Sequence, residues 1–233
     1  MFLFDFYATI YTMIITYLGK QFFKLQQGEM VLAFNPISKQ SKSSEAGMGA
    51  HFGADIALVT TNHEDYNGLE QLSHGGRTPF AITGPGDYEV KEIFIKGALS
   101  NGPISGPAKD GVNKKYINTI YSFTLDNIKI AFLGALSDVD ISKEALEAVQ
   151  NPDILFIPIG GTKEGEILTP KSAAKLASSL EPKLIIPMDY DAATLKSFLK
   201  ETGEEKAEVV DKLTLKLKDV ESKEGEVIVL KAL

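Results

Sequence analysis

The feature that most constrains this 233-residue chain is a short apolar run that leads directly into a polar loop. It is the segment Asp55-Ile-Ala-Leu-Val-Thr-Thr-Asn-His-Glu-Asp-Tyr-Asn-Gly68. The run Ile56–Val59 is typical of a strand that is covered on both faces. The acids and the histidine of His63–Asp65 follow it, and Asn67-Gly68 signals a turn. Polar groups just past a buried strand are well placed for a functional site, because a rigid scaffold holds such loops.

This strand and loop resemble the signature of the metallo-β-lactamase superfamily, in which a strand ends in Thr-His-x-His-x-Asp-His. On that signature, Thr61 stands at the position of the first histidine and Tyr66 at the position of the last. His63 and Asp65 match the second histidine and the aspartate. The loop therefore retains half of the ligand positions that the resemblance implies.

Other segments resemble the lactonase-like branch of the same superfamily, in matching order, from about residue 13 to residue 190. They are Ile14–Gly19, Leu32–Pro36, Gly84–Val90, Ile130–Ala135, Ile157–Gly161 and Ile185–Tyr190. No single motif is decisive, but their order and spacing together are specific. The resemblance implies an α/β fold of the αββα type, in which two mixed β-sheets form a sandwich with helices on the outer faces. The site would lie at one edge, where the strand-end loops meet.

The same resemblance locates the ligand types that are missing. Lys20 stands where a histidine follows the opening strand, and Ala135 stands where an aspartate bridges two metals. Asp189 occupies the position of the final histidine. The ligand positions that are lost are thus Lys20, Thr61, Tyr66 and Ala135. The side chains still able to bind a metal are His63, Asp65 and Asp189.

The number of ligands separates an active site from a vestigial one. A catalytic zinc takes about three protein ligands and an open position for water. The chain has three histidines and no cysteine, and neither His51 nor His74 matches a ligand position. One imidazole and two carboxylates form a set that suits zinc, manganese or iron in a mononuclear site. In the simpler interpretation no metal binds, Asp65 accepts turn amides and Asp189 caps the chain that follows.

Three functions stay open on this reasoning. The first, which we expect, is a metallo-β-lactamase-fold protein without hydrolase activity that serves as a binding or assembly module. The second is a metal-dependent hydrolase of a small ester, lactone or phosphorylated substrate, with Asp65 or Glu64 as the general base. The third is a metal-free protein that binds a small ligand through Tyr66, Asn62 and Lys20. The partner, a small molecule or a protein, is unknown.

Composition and the N-terminal segment bear on partners and location. The formal net charge of −7 argues against nucleic-acid binding, and the lack of cysteine favours a reducing, cytoplasmic setting. Met1–Tyr17 is apolar apart from Asp5, but it is shorter than the roughly 20 residues of a membrane span and lacks signal-peptide features. We expect residues 1–12 to be an extension and 13–233 a single domain. A membrane anchor is the alternative, and the apolar segment and β edges favour a homo-oligomer.

Local signals predict the remaining elements. Phe22–Leu25 and Met30–Phe34 flank a glycine and predict a hairpin. Ser142, Thr169 and Asp191 are the expected N-caps of three helices. The first of these helices should bury Ala145, Leu146 and Val149. Glycine and proline clusters predict a long loop over Ser100–Lys115, and Leu213–Leu217 alternates as a half-exposed strand does.

Overall fold

Two β-sheets lie face to face in the computed structural model, which describes residues 12–43, 52–107, 113–163 and 165–233. The first sheet contains β1 (Met13–Tyr17), β2 (Phe23–Gln27), β3 (Met30–Phe34), β4 (Ile56–Leu58), β5 (Phe80–Ile82) and β13 (Leu213–Leu215). The second contains β6 (Gly86–Val90), β7 (Ile93–Pro107), β8 (Asn113–Leu125), β9 (Ile128–Phe132), β10 (Ile154–Pro158), β11 (Leu184–Met188), β12 (Glu208–Val210) and β14 (Glu226–Leu230). The expected extension lies outside the described residues except for Thr12, and so does His51.

Both sheets mix parallel and antiparallel pairs. The first has the order β13-β1-β2-β3-β4-β5, and only its β3, β4 and β5 run parallel to one another. The second has the order β12-β14-β11-β10-β9-β8-β7-β6, parallel from β12 to β9 and antiparallel from β9 to β6. The expected sandwich of two mixed sheets is confirmed. Its parallel strands end at one edge, which is where the resemblance predicts a site.

The space between the sheets is filled mainly by aromatic and branched side chains. In β1 buried and half-buried residues alternate, as expected of a strand with one face on the core. The rings of Phe23 and Phe156 lie 4.9 Å apart between centroids, and so do those of Phe34 and Phe132. Such ring pairs add roughly 0.5–1.5 kcal/mol each beyond the burial of their area. This core packs the two sheets against each other.

Three capped helices cover the outer face of the second sheet. They are α1 (Lys143–Val149), α2 (Pro170–Leu180) and α3 (Ala192–Thr202), and a short α4 (Leu217–Glu221) packs Val220 into the central core. The predicted caps are confirmed, since Ser142, Thr169 and Asp191 each accept a hydrogen bond from a backbone amide of their helix. Because helices lie on one side and the first sheet on the other, β10 and β11 are buried along their whole length.

Three local predictions are wrong. In the segment expected to be a loop over Ser100–Lys115, the described residues belong to β7 up to Pro107 and to β8 from Asn113, with register shifts on either side of Ile104. The buried face of α1 contains Ala148, whereas Leu146 is exposed. Leu217 begins α4 instead of ending a strand. Within the described ranges, no helix is both long and apolar enough to cross a bilayer.

Candidate functional site

Strand ends from both sheets converge on the predicted edge of the sandwich. Lys20 follows β1, the loop from Thr60 to Tyr66 follows β4, Ala135 follows β9 and Asp189 follows β11. The structure brings Lys20, Asp65, Tyr66 and Asp189 into direct contact. A second cluster links Thr61 to Ala135 through the side chain of Asn118.

The ammonium group of Lys20 lies between the two carboxylates of the predicted metal site. Its Nζ atom is 3.5 Å from Asp65 Oδ2 and 3.5 Å from Asp189 Oδ1. Burial lowers the pKa of Lys20, but the charges of Asp189 and Asp65 outweigh it and raise that pKa above its usual value. The lysine is therefore charged at neutral pH. It contributes one positive charge against two negative ones.

Asp189 is the most buried acid of the site, with 10% of its side chain exposed. Its Oδ2 atom accepts hydrogen bonds from the Tyr66 hydroxyl at 3.0 Å and from Gln21 Nε2 at 3.1 Å. Burial and the neighbouring Asp189 charge raise the pKa of Tyr66 well above its usual range, so the phenol stays protonated and donates. Both oxygens of Asp189 thus face hydrogen-bond donors.

Asp65 and His63 are joined within their own loop. The backbone amide of Asp65 donates to His63 Nδ1 at 3.1 Å, and the Ser41 hydroxyl donates to Asp65 Oδ1. The Nδ1 atom of His63 is therefore engaged within its own loop.

A buried network of side-chain amides lies next to the site. Asn35 donates to Gln21 Oε1 and to the Thr60 hydroxyl, both at 2.9 Å, and accepts from the Thr60 backbone amide at 2.8 Å. Gln21 passes the chain of bonds on to Asp189. Gly134 has φ +60, and a Cβ atom there would lie 2.5 Å from Thr60, so only glycine fits beside this threonine.

Asn118 connects β7 to the loops that follow β4 and β9. Its Oδ1 atom accepts from the Ala135 amide at 2.8 Å and from the Thr61 hydroxyl at 3.3 Å. Its Nδ2 atom donates to Leu133 O and to Ser100 Oγ, both at 2.8 Å. Thr61 and Ala135, two of the lost ligand positions, are therefore held by a neutral amide.

A family model described as the Beta-lactamase superfamily domain matches residues 14–189. The chain belongs to this superfamily. The resemblance to its metallo-β-lactamase members is confirmed by sequence relatives and by solved structures.

The most informative relatives of this superfamily member are named as hydrolases. A UPF0173 metal-dependent hydrolase of Thermococcus onnurineus is 27% identical over 184 residues, which cover 67% of this chain and 78% of the relative. A second one, from Methanosarcina mazei, is 24% identical over 203 residues, covering 76% and 83%. A Thermotoga maritima structure, described as a Zn-dependent hydrolase candidate of the metallo-β-lactamase superfamily, aligns with a TM-score of 0.68 at 25% identity and covers 94% of this chain and 98% of that one. The chain thus has the fold of a metal-dependent hydrolase family.

The residues at the site do not fit the metal that these relatives imply. Zinc binds carboxylate oxygens at about 2.0–2.2 Å, whereas the cation already facing Asp65 and Asp189 is an ammonium at 3.5 Å. The Tyr66 hydroxyl and Gln21 Nε2 also both donate to Asp189 Oδ2, one of the oxygens that a metal would need. In the described part of the chain, no group of three or more His, Cys, Asp or Glu side chains could hold a metal ion.

Sequence reasoning placed some of these side chains and missed others. Within the described residues, Asp65 accepts the Ser41 hydroxyl instead of turn amides, and Asp191 rather than Asp189 caps the following helix. Asn62 bonds to Asn67, and Glu64 is exposed. Gln21 and Asn118 were not predicted. The sequence signal for Gln21 is its position in the short polar segment between two apolar strands. The signal for Asn118 is that it is a single amide residue within an apolar, β-rich stretch.

Proposed function

We propose that this superfamily member has lost metal-dependent hydrolysis and serves as a binding or assembly module. The observation that carries the proposal is the Lys20 ammonium, 3.5 Å from the carboxylates of both Asp65 and Asp189. Two unit charges 4 Å apart repel by about 4 kcal/mol at an effective dielectric constant of ~20, and a divalent ion doubles that figure. A metal among the same oxygens would have to overcome this repulsion or expel the lysine.

The polar groups at this edge are already hydrogen-bonded to one another, which favours an assembly role over the binding of a small ligand. In the described residues, no buried side-chain nitrogen or oxygen lacks a hydrogen-bond partner. Lys20 and Tyr66, which would contact a small ligand, both bind Asp189 instead. A filled and internally satisfied site supports the interpretation that the scaffold has been kept for a partner. That partner is a protein or a small molecule of unknown identity.

A reduced hydrolase is the second candidate, because the relatives are named as metal-dependent hydrolases. It would use His63, Asp65 and Asp189 around zinc, manganese or iron, with Asp65 or Glu64 as base. It requires Lys20 to leave the carboxylates of Asp65 and Asp189. Ala135 offers no oxygen to bridge a second metal, so two-metal chemistry would be lost in any case.

Metal analysis separates these candidates. We expect protein purified without chelator to contain far less than one zinc, manganese or iron per chain, measured by inductively coupled plasma mass spectrometry. A His63→Ala variant is the matched control, and its metal content should equal that of the wild type. Stoichiometric metal in the wild type that disappears in the variant would establish the hydrolase candidate instead.

We further propose a cytoplasmic setting, one domain over residues 13–233 and an extension over residues 1–12. The absence of cysteine from the sequence supports the setting. Exposed Phe80, Phe94 and Val209 on strands of the sandwich support a homo-oligomer. Size-exclusion chromatography with and without residues 1–12 tests the homo-oligomer and the role of the extension. A monomeric mass for both forms would contradict the oligomer.

A further inference from the structure

We infer that Lys20 is a built-in replacement for the metal: its ammonium holds together the same strand ends that a coordinated cation would hold. This inference rests on the proposed loss of metal binding and extends it. It gives the Lys20 side chain a structural role. It also implies that Asp65 and Asp189 could take part in a metal site if the ammonium were replaced by a metal ligand.

The backbone of Lys20 is fixed where such a task requires it. Its carbonyl accepts the Tyr17 hydroxyl at 2.7 Å and the Asp189 amide at 2.7 Å. The residue has φ +54, a left-handed conformation that is uncommon for residues other than glycine. The peptide of Lys20 therefore ties the end of β1 to the end of β11 even before the side chain is considered.

The side chain then adds the third strand end. From this fixed position the ammonium reaches Asp65, in the loop after β4, and Asp189, directly after β11. β1 and β4 belong to the first sheet, and β11 belongs to the second. One cation thus links loops from both sheets, and a metal bound by the same acids would do the same.

The two acids need that cation. Asp65 and Asp189 have only 17% and 10% of their side chains exposed. Tyr66, Gln21 and Ser41 supply neutral donors but no charge. Two carboxylates held this close in partly buried positions are unfavourable when both are ionised. Without Lys20 the site would have a charge of −2 and an opening of the size of an ammonium group.

Removing the lysine should therefore expose the latent site. Lys20→Met keeps most of the stem but leaves the acids without a cation, and we expect its melting temperature to fall by about 5 °C. Lys20→His puts an imidazole beside Asp65 and Asp189, which gives the three protein ligands that zinc requires. We expect Zn²⁺ to bind Lys20→His at one ion per chain and to raise its melting temperature by about 5 °C.

The test uses the full chain and zinc chloride, with isothermal titration calorimetry and thermal melts in zinc and in EDTA. Lys143→Met is the matched control, since Lys143 is an exposed lysine on α1, and it should behave as wild type. The wild type should bind no zinc and melt at the same temperature in EDTA. If Lys20→Met does not fold, Asp65→Asn in the same chain should restore folding, because it removes one unpaired charge.

The outcomes distinguish the two claims. Stoichiometric zinc in the wild type overturns the proposed function and this inference together. A metal-free wild type whose Lys20→Met variant melts as the wild type does, or whose Lys20→His variant binds no zinc, overturns the inference alone. If Lys20→Met does not fold and adding Asp65→Asn does not restore folding, the inference is overturned as well.

Discussion

At the residue scale, the site is a balance between two acids and one lysine, completed by neutral donors. Asp189 accepts from Lys20, Tyr66 and Gln21, so each of its oxygens has a partner. Hydrogen bonds to a charged acceptor contribute about 1.5–3 kcal/mol each, more than neutral pairs. The donors around Asp189 should consequently contribute to the stability of the whole domain.

Tyr66→Phe tests this contribution. The substitution removes a buried hydroxyl that donates to Asp189 at 3.0 Å and leaves the ring in place. We expect the free energy of unfolding to fall by about 1.5–3 kcal/mol, measured by urea denaturation. Tyr88→Phe is the control, because the Tyr88 hydroxyl bonds only to backbone carbonyls of its own turn. Equal losses in both variants would contradict a special role for Asp189.

The residue types at the site could be predicted, but their contacts could not. The sequence marks Lys20, Thr61, Tyr66 and Ala135 as lost ligand positions, and the structure places all four at the same edge. No local pattern shows that the Lys20 ammonium would reach residues 65 and 189, because this depends on how the two sheets pack. The contacts of Gln21 could not be predicted for the same reason, because its partners are 14 and 168 residues away in the sequence.

At the element scale, amide side chains hold the strand ends where ligands are missing. Asn118 lies on β8 and bonds to residues that follow β4 and β9. Because its four hydrogen bonds satisfy groups on β7 and in the loops after β4 and β9, it is difficult to replace with an apolar residue. Neutral hydrogen bonds of Asn118 thus hold this edge of the sandwich together with the ion pairs of Lys20.

Asn118→Ala should be among the most damaging single changes at this edge. It leaves the Ala135 amide and the Leu133 carbonyl, both buried, without their partner. We expect a loss of about 2–4 kcal/mol in unfolding free energy. Asn67→Ala, which breaks an exposed bond to Asn62, should cost no more than about 0.5 kcal/mol. Comparable losses in the two variants would show that Asn118 does not organise the strand ends.

Asp55 performs a comparable task at the opposite edge. Its carboxylate accepts from the Val31 amide on β3 at 2.9 Å and pairs with Lys91, between β6 and β7, at 2.6 Å. Burial raises the pKa of Asp55, but Lys91, the Val31 amide and Arg77 outweigh it and lower that pKa below its usual value. The ionised form thus links the two sheets.

The pH dependence follows from the direction of that shift. A lowered pKa in the folded state stabilises the protein above the unfolded value of about 3.9, and the contribution disappears as the pH falls through the folded pKa. We expect Asp55→Asn to have an unfolding free energy about 1–3 kcal/mol below that of the wild type at pH 7. As the pH falls from 5 to 3, the unfolding free energy of the variant should decrease less than that of the wild type. Asp87→Asn, at an exposed position, is the control in both urea series. An identical acid dependence for wild type and Asp55→Asn would contradict the assignment.

Element boundaries show where local sequence signals fail. The hairpin of β2 and β3 and the caps of α1, α2 and α3 were predicted, because turns and caps depend on neighbouring residues. The continuation of β7 and β8 past residue 100 was not. Glycine and proline there indicated a loop, yet the strands accommodate them through register shifts near Ile104, whose amide also bonds to Gly165 O.

At the scale of the whole molecule, the apolar core contributes more to the stability of the scaffold than the polar site at its edge does. Apolar clusters fill the space between the sheets and both outer faces, and the burial of apolar surface is the largest favourable contribution to folding. Ligand positions at strand ends can therefore change while the sandwich persists. This explains how the chain keeps the superfamily fold over residues 14–189 with an ammonium between Asp65 and Asp189.

The most direct test of that account is a zinc titration of the wild-type chain by isothermal titration calorimetry, after dialysis against EDTA and then against chelator-free buffer. We expect no saturable binding, and we expect the melting temperature to be the same with and without zinc. One zinc bound per chain, with a higher melting temperature than in EDTA, would contradict the replacement of the metal by Lys20.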